Sequence, residues 1–425
     1  MFSSLLNAFR IPELRHKIFF TLLIIAVYRF GAFIPVPGVD AHALTQAFSA
    51  TGSTSTSLLM LNIFSGNALS NFSVLSLGIM PYITAQIIMQ LMQGVIPAVA
   101  RWAKEGEQGQ KKITQITRYV TLGLGLINAI GYLFLFQSDQ YGVTFSASIP
   151  YLFTCFVIIF TLVGGVALIM WMGELITQRG VGNGMSLIIF ANVLAGFPYA
   201  IQNSIATQSF GFTALVVIVA LLVVPGIVLI ERAQRRIPVN YAKRVSGRRV
   251  MGGQSTYIPL KVNGAGVIAI IFASSILYFP AQIAVFFNVD WLTGFANNLT
   301  QGPLNWVLDF LLIVFFCFFY TSLIFNPQDT ADNLQKQGGF IPGVRPGHNT
   351  VQYIKNVLNR ITLPGGIYVG LIAVIPSMLF LVTNDRLIQT FGGTSILIMV
   401  GVALDTMSKI EAQLKTHHYE GFFEK

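Results

Sequence analysis

The side chains able to donate a proton, attack a carbonyl or bind a metal are few in this chain and scattered. Its two cysteines, Cys155 and Cys317, each stand alone in an apolar run, so neither a disulfide nor a thiolate metal site is expected. The histidines (His16, His42, His348, His417 and His418) all lie outside the apolar runs. Glu174 and Asp309 sit near the ends of such runs, and Asp405 sits inside the last one. Ion- or proton-coupled carriers use buried ionisable relays, and three isolated acids do not make one. Asp405 reads instead as a structural pairing residue. With no cluster of His, Asp or Glu, an enzyme is not expected, and neither is a cofactor or a metal.

The repeated feature is aliphatic. Ile79 and Ile83 are four residues apart, hence on one face of a helix, and Ile189 and Val193 repeat that spacing after Gly182-Asn183-Gly184. Core packing is the ordinary use of such pairs. Their other use is a constriction that excludes ions by dewetting, with no charge involved.

These residues must be positioned by membrane-spanning helices. The chain has 425 residues, 54% hydrophobic and 10% charged. Soluble domains carry roughly 25% charged residues, too many for this to be one. Runs such as 215–230 and 307–325 approach the ~20 residues that cross a ~30 Å hydrocarbon core. Ten spans are expected, at 18–37, 71–93, 119–137, 151–173, 184–203, 212–230, 264–287, 305–325, 365–383 and 392–410. With the N-terminus inside, the outward connections are 38–70, 138–150, 204–211, 288–304 and 384–391. Of 26 Lys and Arg, Arg386 alone falls in them, and Arg29 alone lies within the first span. That asymmetry sets the topology, with both termini cytoplasmic. Charge precedes a full-length first span with no small-residue cleavage site, so no removable signal peptide is expected.

Five spans precede residue 206 and five follow, so the second half enters with opposite orientation, the arithmetic of an inverted repeat. The fold class expected is all-α and membrane-integral, with halves 1–205 and 206–425 hinged at the polar stretch 202–209. Segment 58–70 (LLMLNIFSGNALS) is amphipathic and too short to span. It fits an interfacial helix or a packed loop, or a short re-entrant helix blocking a pore from outside. The cytoplasmic loop 231–263 carries Arg232, Arg235, Arg236, Lys243, Arg244, Arg248, Arg249 and Lys261 against Glu231 alone. Such a surface suits an anionic partner, such as ribosomal RNA or an acidic protein face, though solvated orienting charge is the plainer use. In loop 326–363, Pro and Gly on both sides of Arg345 should hold it in a fixed turn for partner recognition.

At these residues the chain resembles the SecY/Sec61-alpha family of protein-translocase channel subunits. The stretches that carry the resemblance are 35–40 (PVPGVD), 60–70, 77–90, 173–190, 231–249, 254–275, 326–347 and 391–395, in matching order nearly end to end. The resemblance implies two five-helix halves closed like a clamshell around an hourglass pore. It implies a pore ring of Ile79, Ile83, Ile189, Val193, Ile271 and Ile398, with Val193 where isoleucine is usual. A plug is implied over 58–70, comprising Met60, Leu61, Asn62, Ile63, Phe64, Ser65, Gly66, Asn67, Ala68 and Leu69. A lateral gate is implied at Thr84, Asn128 and Phe279, with Gln282 added. Arg235, Arg236, Lys243, Arg244, Arg248, Arg249 and above all Arg345 would dock the SecA ATPase or the ribosome. SecE and SecG would complete the complex, and preproteins with signal sequences would pass through it or leave sideways into the bilayer of the cytoplasmic membrane. A ten-span secondary transporter is the rival reading, and it needs a mid-membrane site of paired charges that the sequence scarcely supplies.

Overall fold

The computed structural model describes residues 9, 11–37, 39, 65–137, 151–208, 210–241, 244–246, 249–251, 255–287, 294, 303–383, 388 and 392–420. Twelve helices carry the chain among these residues: α1 (Pro12–Gly31), α2 (Met80–Val95), α3 (Pro97–Lys104), α4 (Glu107–Gln137), α5 (Tyr151–Arg179), α6 (Gly184–Thr207), α7 (Phe210–Arg232), α8 (Gly266–Phe287), α9 (Pro303–Ile324), α10 (Pro327–Lys336), α11 (His348–Thr383) and α12 (Gly393–Glu420). Six spans pass on length and hydropathy, carried by α5, α6, α7, α9, α11 and α12. The bent pair α2–α3, turned by 101°, makes up to seven. The other three expected spans coincide with α1, which carries Glu13, Arg15, Lys17 and Arg29, with α4, and with α8. The outer surface matches that role. Phe30, Leu152, Phe160, Phe210, Leu222 and Leu229 are all exposed, a belt that suits lipid and not water.

Two expected spans are shorter as helices than the apolar runs that suggested them. The first ends at Gly31, and the second becomes helical only at Met80, not at residue 71. The intervening chain spends its hydrogen bonds elsewhere. Val36 N–H donates to the Phe72 carbonyl (3.0 Å) and Val74 N–H to the Ile34 carbonyl (2.9 Å), around a bridge of Pro35 with Ser73. Within 65–79 the bonds are short-range turns, such as Ser76 N–H to the Ser73 carbonyl and Gly78 N–H to the Leu75 carbonyl. Gly78 has φ +58° and Pro81 follows in the first turn of α2. Both features start a helix there more readily than they continue one. The described end of the expected short helix, residues 65–70, is likewise a set of turns.

Helix neighbours repeat in order. The pairings α2–α4, α4–α5 and α5–α6 recur further along as α8–α9, α9–α11 and α11–α12. Between these two series, α8 packs against α2 and α4, and α12 packs against α6. The polar stretch 202–209 contains the break between α6 and α7.

The fold is mostly helical as expected, and the basic loop after α7 adds a few short strands to it. Strand β1 (Gln234–Tyr241) is followed by β2 (Arg244–Ser246), β3 (Arg249–Met251) and β4 (Ser255–Lys261), and β5 (Gly339–Phe340) comes from the second long loop. β1 pairs antiparallel with β4 from Gln234↔Lys261 to Asn240↔Ser255, and with β5 at Asn240↔Phe340 and Tyr241↔Gly339. The alternation explains the strand, since Ile237 and Val239 are buried while Arg236 and Pro238 face out. Their inner face joins Leu260, Leu334, Ile341 and Ile354 in a small core of its own. The two long loops are therefore one packed unit, capped on α10 by the Asn326 side chain, which accepts from Gln328 N–H.

Ile354 is fully buried in that unit. An Ile354→Ala change removes packing worth ~2–5 kcal/mol. It should speed hydrogen exchange at the β1 amides that pair with β4 while leaving exchange in α5 unchanged. Unaltered β1 exchange would show that the two loops are not held by this core.

Candidate functional site

Four helices bring the aliphatic residues singled out above into one region. Ile79 and Ile83 lie at and just inside the start of α2, Ile189 and Val193 on α6, Ile271 on α8 and Ile398 on α12. None is more than 7% exposed, and all six belong to a single continuous apolar cluster. Their helices are neighbours in series, α2 with α8, α8 with α12 and α12 with α6. Buried branched side chains offer a hydrated ion no ligand, and passage among them requires stripping water at a cost of tens of kcal/mol in an apolar medium. Such a set can also deform around an extended chain without holding it by polar contacts.

The segment leading to Ile79 packs beside this cluster. Ala68, Leu69, Phe72, Leu75 and Leu77 are buried, and Ser65 accepts a hydrogen bond from Leu69 N–H at 3.2 Å. Ser70 donates to the Asn67 carbonyl at 2.8 Å. Arg29, from the last turn of α1, donates to the Gly66 carbonyl at 2.9 Å. Of the expected plug, Met60, Leu61, Asn62, Ile63 and Phe64 lie outside the described residues, while Ser65 to Leu69 lie within them.

The expected gate residues are divided between the helices that meet along one seam. Thr84 is on α2 and Asn128 on α4, both half-buried, and α8, which packs on both helices, carries the backbone of Phe279 and Gln282. The Thr84 hydroxyl is spent on its own helix, donating to the Met80 carbonyl at 3.0 Å. The side chains of Phe279 and Gln282 lie outside what the structure describes.

On the side carrying the sheet, a cavity of about 560 Å³ opens between α6, α7, α8, α9 and α12. Asn183, Ser186, Glu231, Asn263 and Asp405 are among its lining residues. Glu231 accepts from the Asn263 amide at 2.8 Å, and Asn263 in turn accepts from Gly266 N–H at 3.0 Å, fixing the start of α8. Asp405 pairs with Lys409 at 2.9 Å one turn along α12, the pairing role expected for it. Glu174 forms a two-pronged ion pair with Arg118, which ties α4 to α5. Hydrogen bonding to Glu174 is the main cause holding the Arg118 guanidinium above its ordinary range. Cys155 and Cys317 are both free. Among the described residues, no three His, Cys, Asp or Glu gather as a metal site.

The basic residues are displayed on the small sheet and beside it. Arg235 and Arg236 are exposed on β1, with the Arg236 guanidinium 4.8 Å from the centre of the Tyr257 ring. Arg244 and Arg249 belong to β2 and β3, and Lys243 and Arg248 lie outside the described residues. Arg345 is exposed on a turn closed by Val344 N–H to the Ile341 carbonyl, and its own carbonyl accepts from the Thr350 hydroxyl at 3.0 Å. Gly343 and Gly347 on either side have φ of +82° and +99°. These are the backbone conformations glycine supplies without strain.

Three features escaped sequence reasoning. They are the Arg29–Gly66 contact, the Glu231–Asn263 link and the fusion of the two loops through β5. Alternation of Ile237 and Val239 with Arg236 and Pro238 was the available signal for the strand. Arg29 stood out only as a charge inside a span.

Comparison with known proteins supplies the remaining observations. Residues 73–407 match the SecY family model. Protein translocase subunit SecY of Streptomyces galbus is 47% identical over 436 residues, covering 99% of this chain and 100% of that protein. Its counterpart in Mycobacterium tuberculosis is 44% identical over 442 residues, with the same coverage. Among solved structures, a protein-conducting channel superposes with TM-score 0.63 at 16% identity, covering 93% of this chain and 91% of that one. Sec61 in a canine ribosome–channel complex from the endoplasmic reticulum superposes with TM-score 0.61 at 15% identity, again over 93% and 91%. At such identities the structural likeness is one of fold.

Proposed function

The chain belongs to the SecY family, and from that premise we propose that it forms the conducting path of a protein translocase in the cytoplasmic membrane. Unfolded polypeptides cross between the halves 1–205 and 206–425, and apolar segments leave sideways into lipid. The observation that carries this reading is the burial of Ile79, Ile83, Ile189, Val193, Ile271 and Ile398 in one apolar cluster, from helices α2, α6, α8 and α12. The repeated neighbour order supports the two halves.

Each part then has a physical task. The ring blocks ions at rest by dewetting, and segment 58–70 adds a second seal from outside. The seam where α8 meets α2 and α4 is the exit toward lipid, with Thr84, Asn128, Phe279 and Gln282 along it. A 20-residue leucine-rich segment gains at most roughly 10 kcal/mol on entering lipid, at ~0.5 kcal/mol per residue. Swinging a two-state seam from 1:99 to 99:1 takes about 5.5 kcal/mol. An apolar cargo can therefore open its own exit.

Nothing in this scheme makes or breaks a bond, so a partner must supply the energy. The packed unit bearing Arg235, Arg236, Arg244, Arg249 and Arg345, with Lys243 and Arg248 in its loops, is the surface for a SecA-type ATPase or a ribosome. Both present extended negative charge, and a rigid basic unit recruits such a partner better than a loose loop. SecE and SecG complete the assembly. A solute carrier is disfavoured, because Glu174, Asp405 and Glu231 are each engaged in pairing with a neighbouring side chain. Asp309, with its Oδ1 buried and unbonded, is one acid and not the paired site a carrier needs.

Cysteines placed at Ile83 and Ile271 should both crosslink to a secretory polypeptide stalled in transit. Crosslinks at neither position, with transport intact, would move the path elsewhere. Arg345→Glu should cut ATPase-driven transport of a secretory protein at least about tenfold, equivalent to ~1.4 kcal/mol, with normal membrane levels of the chain. Equal transport by that variant would remove Arg345 from the docking surface.

A further inference from the structure

Arg29 is the only Lys or Arg inside the first expected span, and its guanidinium is aimed at backbone, donating from Nη1 to the Gly66 carbonyl at 2.9 Å. A charged donor of this kind makes a stronger bond than a neutral one. Gly66 also lies close against Asn192. A methyl group at its Cα would stand 2.5 Å from Arg29 Nη1 and 2.6 Å from Asn192 Oδ1. Both are far inside contact distance, so the turn sits in a slot with room for no side chain. Gly66 also has φ +68°, and Asn67 beside it has φ +66°, a left-handed conformation that glycine and asparagine adopt more readily than other residues. Asn192 is completely buried on α6, next to the ring residue Val193. Arg29 thus bonds the turn, and Asn192, from a separate helix, walls it in beside the apolar ring.

We infer that Arg29 and Asn192 form a latch that seats the Gly66 turn in the resting channel. This rests on the reading of 58–70 as a seal and names what holds it. Arg29 belongs to α1 and Asn192 to α6, whereas the turn must leave if a polypeptide is to pass. Release then requires breaking the Arg29 bond and drawing Gly66 out of its slot. The latch makes the closed state the favoured one without placing a charge in the path itself, and a passing chain supplies the work of release. Arg29 is a positioning residue here, acting on the ring region through the turn.

The test is potassium current through the full-length chain with its co-purified partner subunits, reconstituted in planar bilayers without substrate. Arg29→Gln removes the charged guanidinium and shortens its reach, and Gly66→Ala forces a methyl group against the same two side chains with Arg29 intact. Each should raise the resting current about tenfold, equivalent to ~1.4 kcal/mol, while transport of a secretory protein continues. Gly123→Ala, on α4 in open space, should leave the current at the wild-type level. If Arg29→Gln does not accumulate in the membrane, Gly66→Ala carries the test alone. A wild-type resting current in the accumulating variants overturns the latch. Failure of the unmodified chain to transport any polypeptide would instead strike the channel reading on which the latch rests.

Discussion

The proposed conducting path depends on water exclusion by branched aliphatic side chains. Six of them, drawn from α2, α6, α8 and α12, are buried in one apolar cluster. In a membrane, apolar surface gains little from leaving lipid, so helices associate through packing and a few polar contacts. The structure uses both. The Arg118–Glu174 pair ties α4 to α5, and the Glu231–Asn263–Gly266 chain fixes the start of α8. Polar bonds set the frame, and the central contacts are left to side chains that hold nothing strongly. A closure built that way can part and re-form, whereas a ring of hydrogen bonds would bind a passing backbone.

Outside the membrane the logic reverses, because water is present and an apolar core does stabilise. Ile237, Val239, Leu260, Leu334, Ile341 and Ile354 form such a core from segments about a hundred residues apart. The result is a rigid stage for exposed arginines. Arg345 illustrates the division of labour. Its backbone is fixed by Thr350 and flanked by glycines at positive φ, and its side chain is left in solvent.

Much of this was legible from residue order. The i, i+4 spacing of Ile79 with Ile83, and of Ile189 with Val193, marked shared faces before any coordinates. Apolar length marked most spans. Segment 71–79 was misread because it is apolar enough for a helix. Its backbone bonds go to 34–36, and no local pattern carries that pairing. The small sheet was overlooked because charge drew attention away from the alternation around Ile237 and Val239. Long-range contacts such as Arg29 with Gly66 leave no periodic trace at all. An arginine within an apolar run states only that some partner exists.

The central claim concerns the aliphatic closure, and ion flow reports on it directly. Resting potassium current should be compared between the reconstituted wild-type chain and an Ile83→Ser, Ile271→Ser double variant. Two hydroxyls facing the constriction should let water and ions through, and the current should rise about tenfold or more with the chain still inserted. An unchanged current in a properly inserted double variant would contradict the account, because the barrier to ions would then lie outside the aliphatic ring.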